Sequence, residues 1–274
     1  MDLPLQVDLS DKVVVLTGAA GVLCSEMAKA LGQCGARVAA LVHSEENMKP
    51  LSEDLEELGV EHLTIKADVL DKSSLQQSAR EVKEEFGKID ILINGAGGNK
   101  EEATTGPDQS FFDLSEEAIK GVFNLNLLGT LLASQVYGKE LADQGEGVIL
   151  NISSMTAFTP LTKVPAYSAA KAAVNNFTQW LAVHMSHNYS PDIRVNAIAP
   201  GFLLTKQNRF LLTDRETGEL TDRGQTIIDH TPMDRFGDPE DLISTVLWLV
   251  APGSKFVHGT VVPIDGGFAA YSGV

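Results

Sequence analysis

Seven short apolar runs are spaced along the chain: VVVLTG from Val13, RVAALV from Arg37, HLTIKADV from His62, IDILINGAG from Ile89, GVILNISS from Gly147, IRVNAIAPG from Ile193 and TVVPIDGG from Thr260. Each is the length of a strand and rich in Val and Ile, as strands covered on both faces are. Between them SLQQSAREVKEEF, SEEAIKGVFNLNLLGTLLASQVYGKEL and AYSAAKAAVNNFTQWLAVHMS repeat apolar residues at three and four, the period of an amphipathic helix. Alternation of this kind predicts an α/β fold with a single doubly wound parallel seven-stranded sheet and helices on both faces.

The 274 residues contain no linker rich in Pro, Ser or Gly, no internal repeat and no low-complexity tract, so residues 1–274 read as a single domain. One long stretch breaks the pattern. Residues 203–237 hold a short apolar patch among many charges, and a segment of that length within a compact domain reads as a lid before the last helix. A net charge of -16 argues against nucleic acid and against an anionic membrane as partners, because its field repels phosphate. No apolar run is long enough to cross a bilayer. The start, MDLPLQVDLSDK, lacks the apolar core of a secretory signal. Cys24 and Cys34 fall in one predicted helix, a poor arrangement for a disulfide. A cytoplasmic protein is expected, and no metal-ligand pattern is read.

Ligands of an open parallel sheet sit beyond the carboxyl ends of its strands. Polar or small residues recur at that edge: TGAAGVLC after the first strand, Asp68 after the third, Asn94 to Gly97 after the fourth, Ser153 and Ser154 after the fifth, and Pro200-Gly201 after the sixth. The first of these is a small-residue turn leading into a helix, suited to bring backbone N–H groups to a phosphate. Within a later helical segment, Tyr167 and Lys171 are four residues apart and therefore on one face. A phenol with an ordinary pKa of about 10 is a weak base near neutrality. An ammonium ~4 Å away favours phenolate by about 4 kcal/mol at an effective dielectric of ~20, before desolvation. The same spacing also describes two side chains standing next to each other on a solvated helix.

Taken together, these elements resemble the short-chain dehydrogenase/reductase family over nearly the whole chain, which implies a Rossmann-type, dinucleotide-binding oxidoreductase. Tyr167 and Lys171 match its Tyr-x-x-x-Lys motif, Ser154 in NISS its serine, and Asn126 in NLLG its asparagine. NGAG from Asn94, Asp68 on the adenine side, and Pro200-Gly201 beneath the nicotinamide match three further elements. The resemblance implies that Tyr167 exchanges a proton with the reacting oxygen and that Ser154 holds that oxygen. Lys171 would bond the nicotinamide ribose and depress the tyrosine pKa, and Asn126 would position a water. It also implies a cofactor site made from Gly18, Gly21, Val22, Leu23, His43, Asp68, Val69, Asn94, Ala96, Gly97, Tyr167, Lys171, Pro200, Gly201 and Thr205. Two stretches depart from the family. Val22 and Cys24 stand where its loop has glycines, and Val42 with His43 stands where NAD-binding members carry an acid. The missing acid admits NADP(H), but no arginine replaces it, and likeness to sugar-acid members favours NAD(H).

Among those members, TGAAGVLCSEMAKAL, NLLGTLLASQV, APGFLLTKQNRFLL and the terminal DGGFAAYSGV resemble bacterial D-mannonate oxidoreductases, or fructuronate reductases. The resemblance implies interconversion of D-fructuronate and D-mannonate. A gluconate 5-dehydrogenase is the alternative within the class, and a catalytically silent dinucleotide-binding sensor is the alternative outside it. A small-molecule sugar acid is anionic, so Ser154 and Tyr167 would be joined in substrate binding by cations of the lid, Arg209 with Lys206. The helices carrying Asn126 and Tyr167 are apolar around much of their girth, through Leu127, Leu131, Phe177, Trp180 and Leu181. In this family such helices imply a homotetramer or homodimer.

Overall fold

The computed structural model describes residues 7–205, 212–214 and 217–273. Its centre is one seven-stranded sheet in the order β3-β2-β1-β4-β5-β6-β7, with every neighbouring pair parallel. The strands are β1 (Val13–Thr17), β2 (Arg37–Val42), β3 (His62–Lys66), β4 (Ile91–Asn94), β5 (Gly147–Ile152), β6 (Ile193–Pro200) and β7 (Val261–Ile264). All seven apolar runs are therefore strands. Alternate residues of one strand serve opposite faces. Val14 and Leu16 join a core with α1 (Val22–Gln33) and α2 (Met48–Glu57), and Val13 and Val15 join a second core with α3 (Lys72–Phe86). The chain builds β2 and β3 on one side of β1 and then crosses to β4 on the other. A crevice opens at that reversal, beyond Thr17 and Asn94.

Helix ends follow local chemistry. Asp71 caps α3 by accepting from the Ser73 N–H at 2.8 Å, and Ser115 caps α4 (Glu116–Phe123) by accepting from Ala118 N at 3.1 Å. The long segment from Ser115 to Leu141 is not one regular helix. After α4 a π-helical stretch, Asn124–Leu128, inserts before α5 (Gly129–Gln144), and α6 (Pro165–Asn188) runs beside it. Beyond β6 the chain leaves the sheet at Leu203 and returns at Gly237. Leu204 N donates to Gly237 O at 2.7 Å and Gly237 N to Phe202 O at 3.0 Å, closing the base of the excursion. The excursion contains α7 (Asp222–Asp229), and the last helix, α8 (Ile243–Val250), follows it. No helix among the described residues is long and apolar enough to cross a membrane.

Candidate active site

The crevice at the sheet reversal is a cleft of about 350 Å³. Of the residues expected at a cofactor, Gly18, Gly21, Val22, Leu23, Ala96, Gly97, Gly201 and Thr205 line it. Gly18 has φ +67, and a methyl group there would lie 2.8 Å from the Ala96 Cα, so the turn fits glycine alone. The first turn of α1 starts at Gly21 without a side-chain cap, leaving N–H groups facing outward as an anion site requires. Neither departure from the family's glycines obstructs it. Val22 opens the helix half-exposed, while the Cys24 thiol is 5% exposed and packs over Gly95. Burial pushes that thiol up to about 12, and the Lys171 charge opposes the rise.

Several expected cofactor residues fall outside this cleft. The Asn94 side chain turns into the core: its Nδ2 donates to Asn151 Oδ1 at 2.8 Å and to Ser134 Oγ at 3.0 Å, which ties β4 to β5 and α5. Asp68 accepts from Leu70 N at 2.8 Å, Val69 packs against Gly129, and Pro200 is buried at the end of β6. His43 is exposed on the rim beyond β2. Conversely Ile152, Phe202 and Leu203 line the cleft without any polar or glycine signal, and Thr17 works from beneath it. The Thr17 hydroxyl accepts from the N–H groups of Gly95 and Ala96 at 3.0 and 3.2 Å, which holds the β4 loop to β1. Lys206 and Arg209 lie outside the described residues.

Asn126, Ser154, Tyr167 and Lys171 do come together. The Tyr167 phenol lies near the Ser154 hydroxyl, and Ser154 is held in place by a turn whose Thr156 N–H donates to its Oγ at 3.3 Å. Lys171 is 4% exposed, its Nζ 5.6 Å from the Tyr167 ring centroid and donating to Ile152 O at 2.8 Å. Asn126 sits in the π-helical stretch, a common place for a functional residue. Its Nδ2 donates to Gly98 O and Val122 O, and its Oδ1 accepts from Gly98 N. Gly97 has a hydrogen where a methyl would stand 2.8 Å from Asn126 Oδ1 and 3.1 Å from Lys171 Nζ. Only glycine lets the β4 loop pass so close to both.

The electrostatics differ from the expectation that Lys171 lowers the tyrosine pKa. Burial raises the Tyr167 phenol above its ordinary value, and the Ser154 hydrogen bond offsets the rise in part. The ammonium lies over the ring, 5.6 Å from its centroid, and is turned to a carbonyl, and burial holds its own pKa down to about 8. A neutral phenol and a hydroxyl, paired next to a glycine-lined cleft, can donate protons to a carbonyl oxygen. A stability signature follows. Between pH 8 and the unfolded lysine value of 10.5 the folded chain has lost a proton that the unfolded chain keeps, so stability rises with pH across that window. Relative to Lys171→Met, the wild-type chain should gain at most about 1.4 kcal/mol per pH unit there, measured by denaturant titration. A flat difference would mean that the ammonium is not desolvated.

A model of the family described as short chain dehydrogenase matches residues 12–216. The chain is 49% identical over 281 residues to an uncharacterized oxidoreductase of Bacillus subtilis (strain 168), UxuB, with 99% of this chain and 100% of that protein covered. It is 33% identical to the 2-dehydro-3-deoxy-D-gluconate 5-dehydrogenase of Dickeya dadantii, covering 96% and 97% of the two chains. A crystal structure of a candidate D-mannonate oxidoreductase from Haemophilus influenzae, with bound NAD, superposes with a TM-score of 0.92 at 45% identity, covering 98% of this chain and 100% of that one. By that match, and by the fold that carries it, this chain is an oxidoreductase belonging to the short-chain dehydrogenase family.

Proposed function

We propose that this chain interconverts D-fructuronate and D-mannonate with a nicotinamide dinucleotide. The observation that carries the reading is the half-buried Tyr167 next to the buried Ser154, with Lys171 and Asn126 behind them, beside the glycine-lined cleft. The choice of sugar acid is supported by the D-mannonate name attached to the Haemophilus structure. The 33%-identical relative, a 2-dehydro-3-deoxy-D-gluconate 5-dehydrogenase, supports the same sugar-acid substrate class.

The cleft fits a dinucleotide. Gly18 and the uncapped start of α1 would receive the pyrophosphate, Gly97 and Gly201 would flank the nicotinamide end, and Thr205 would close over it. When bound, the cofactor supplies or accepts the hydride. In the reductive direction the Tyr167 phenol gives its proton to the carbonyl oxygen, and Ser154 donates a hydrogen bond that holds that oxygen. In oxidation the proton returns to Tyr167. Lys171, whose Nζ lies 5.6 Å from the Tyr167 ring centroid, would hold the nicotinamide ribose. Asn126 keeps the Gly98 turn in register through both backbone groups of that residue.

NAD is favoured over NADP by the NAD in the Haemophilus structure and by the rim of β2. Val42 there is paired in register with Lys66, whose ammonium is engaged by Glu45 at 2.7 Å rather than free for a 2′-phosphate. Residues 203–237 serve as the lid, and the outward faces of α5 and α6, where Trp180 and Val183 are more than half exposed, pair in a homodimer or homotetramer. Initial rates with fructuronate, 5-ketogluconate and tagaturonate, each with NADH and NADPH, test the reading. The highest kcat/KM is expected for fructuronate with NADH. A higher value for 5-ketogluconate would favour the alternative. Dinucleotide binding without turnover of any ketone would favour a sensor.

A further inference from the structure

A second cleft of about 600 Å³ adjoins the first, and Phe202 lines both. One wall is the segment Thr159 to Val164, which runs from the turn holding Ser154 into the first turn of α6 ahead of Tyr167. The other wall is α7, with Phe268 of the C-terminal turn. A sugar acid whose ketone oxygen rests on Ser154 and Tyr167 must point its far end away from the dinucleotide. This cleft, which shares Phe202 with the first, offers space for that end.

Two of its residues are cations, Lys163 and Arg223. The chain has 37 acidic against 21 basic side chains, and among the described residues its cations are mostly engaged, as Lys12 is by Asp90, Lys83 by Glu140 and Arg235 by Asp241. Lys163 and Arg223 make no ion pair and no side-chain hydrogen bond with any described residue. Of the others in that condition, Lys255 lines a cavity at the opposite edge of the sheet and Lys100 lies over Gly121 of α4. Two unengaged cations thus line one cleft that shares Phe202 with the dinucleotide cleft. Asp222 lies on the same wall, leaving two cations to one carboxylate among the described lining. Lys163 and Arg223 are exposed, and Phe202, Ile227 and Phe268 make the rest of the cleft largely apolar.

We infer that Arg223, with Lys163 opposite it, anchors the substrate's carboxylate and sets the preference for sugar acids over uncharged ketoses. The inference rests on the reading of the reaction centre above. A guanidinium takes a carboxylate through two parallel N–H groups, so Arg223 is the principal anchor and Lys163 adds a point charge. In a protein of net charge -16 the attraction acts at short range against the overall field.

The test uses Arg223→Gln, Lys163→Met and the double variant, with D-fructuronate and D-fructose as paired substrates and calorimetric binding of D-mannonate to the NAD-loaded protein. Losing a charge-assisted pair is expected to raise the fructuronate KM about ten- to hundredfold in Arg223→Gln, with a much smaller change in kcat. Mannonate affinity should fall in parallel, and the preference for fructuronate over fructose should shrink by the same factor. Arg223→Lys should recover part of the loss. If wild-type protein turns fructuronate over but KM and mannonate affinity are unchanged in the double variant, the anchor is wrong and the proposed function stands. If wild-type protein neither reduces fructuronate nor binds mannonate, the proposed function fails. The anchor then stands only if D-gluconate or 2-keto-3-deoxygluconate binds wild-type protein more tightly than Arg223→Gln, and falls otherwise.

Discussion

Tyr167→Phe is expected to lower kcat by about 10²- to 10⁴-fold while dinucleotide affinity is kept, because it removes the transferable proton and leaves the ring. The phenol is held neutral by burial and lies next to Ser154, so at neutral pH it carries the proton to be given. Phenylalanine keeps the contact with the Lys171 ammonium over the ring and leaves the Ile152 carbonyl bond to Nζ untouched. Fold and cofactor cleft should therefore survive, and the loss should fall on kcat. The check is a steady-state kcat set beside a dinucleotide titration followed by intrinsic fluorescence. Residual turnover within a few-fold of wild type would remove Tyr167 from the proton transfer.

Gly18→Ala is expected to destabilise the chain by about 2–4 kcal/mol and to abolish dinucleotide binding. The residue has φ +67, and the added carbon would meet the Ala96 Cα at 2.8 Å and the Ala96 nitrogen at 2.9 Å. Both neighbours are backbone and cannot swing aside. Relief would pull the β4 loop off the Thr17 hydroxyl, which accepts from Gly95 and Ala96, and would widen the crevice where a pyrophosphate is to be gripped. Val22→Gly and Cys24→Gly offer the contrast. Restoring the family's glycines there should leave binding nearly as it was, since neither present side chain stands in the way of the open N–H groups. Chemical denaturation and calorimetric titration of the three variants separate these outcomes.

The inner strands were legible because each is a contiguous apolar run buried on both faces, as in β1, β5 and β6, and a parallel sheet writes itself into the sequence that way. Ser154, Tyr167, Lys171 and Asn126 were legible through the spacing of a known family. What the sequence hid depends on tertiary contact. Asn124–Leu128 carries the same apolar period as the helices around it, and the π-helical turn goes with Asn126 reaching across to Gly98, a residue 28 positions away. Asn94 illustrates the limit of reading strand ends: a residue at the carboxyl edge can send its side chain to either face, and this one goes to Asn151 and Ser134 instead of the cleft. Phe202 carries no polar signal, and Arg223 is one charge among many until the fold sets α7 across from the Thr159 to Val164 segment.

Hydride transfer to a sugar-acid ketone can be followed atom by atom. Wild-type protein would be incubated with D-fructuronate and NADH carrying deuterium at both C4 positions of the nicotinamide, and the product examined by NMR. The expected result is D-mannonate with one deuterium on the carbinol carbon formed from the ketone, at one deuterium per NADH consumed. Unlabelled mannonate, or deuterated product from an uncharged ketose while fructuronate is recovered unchanged, would contradict it.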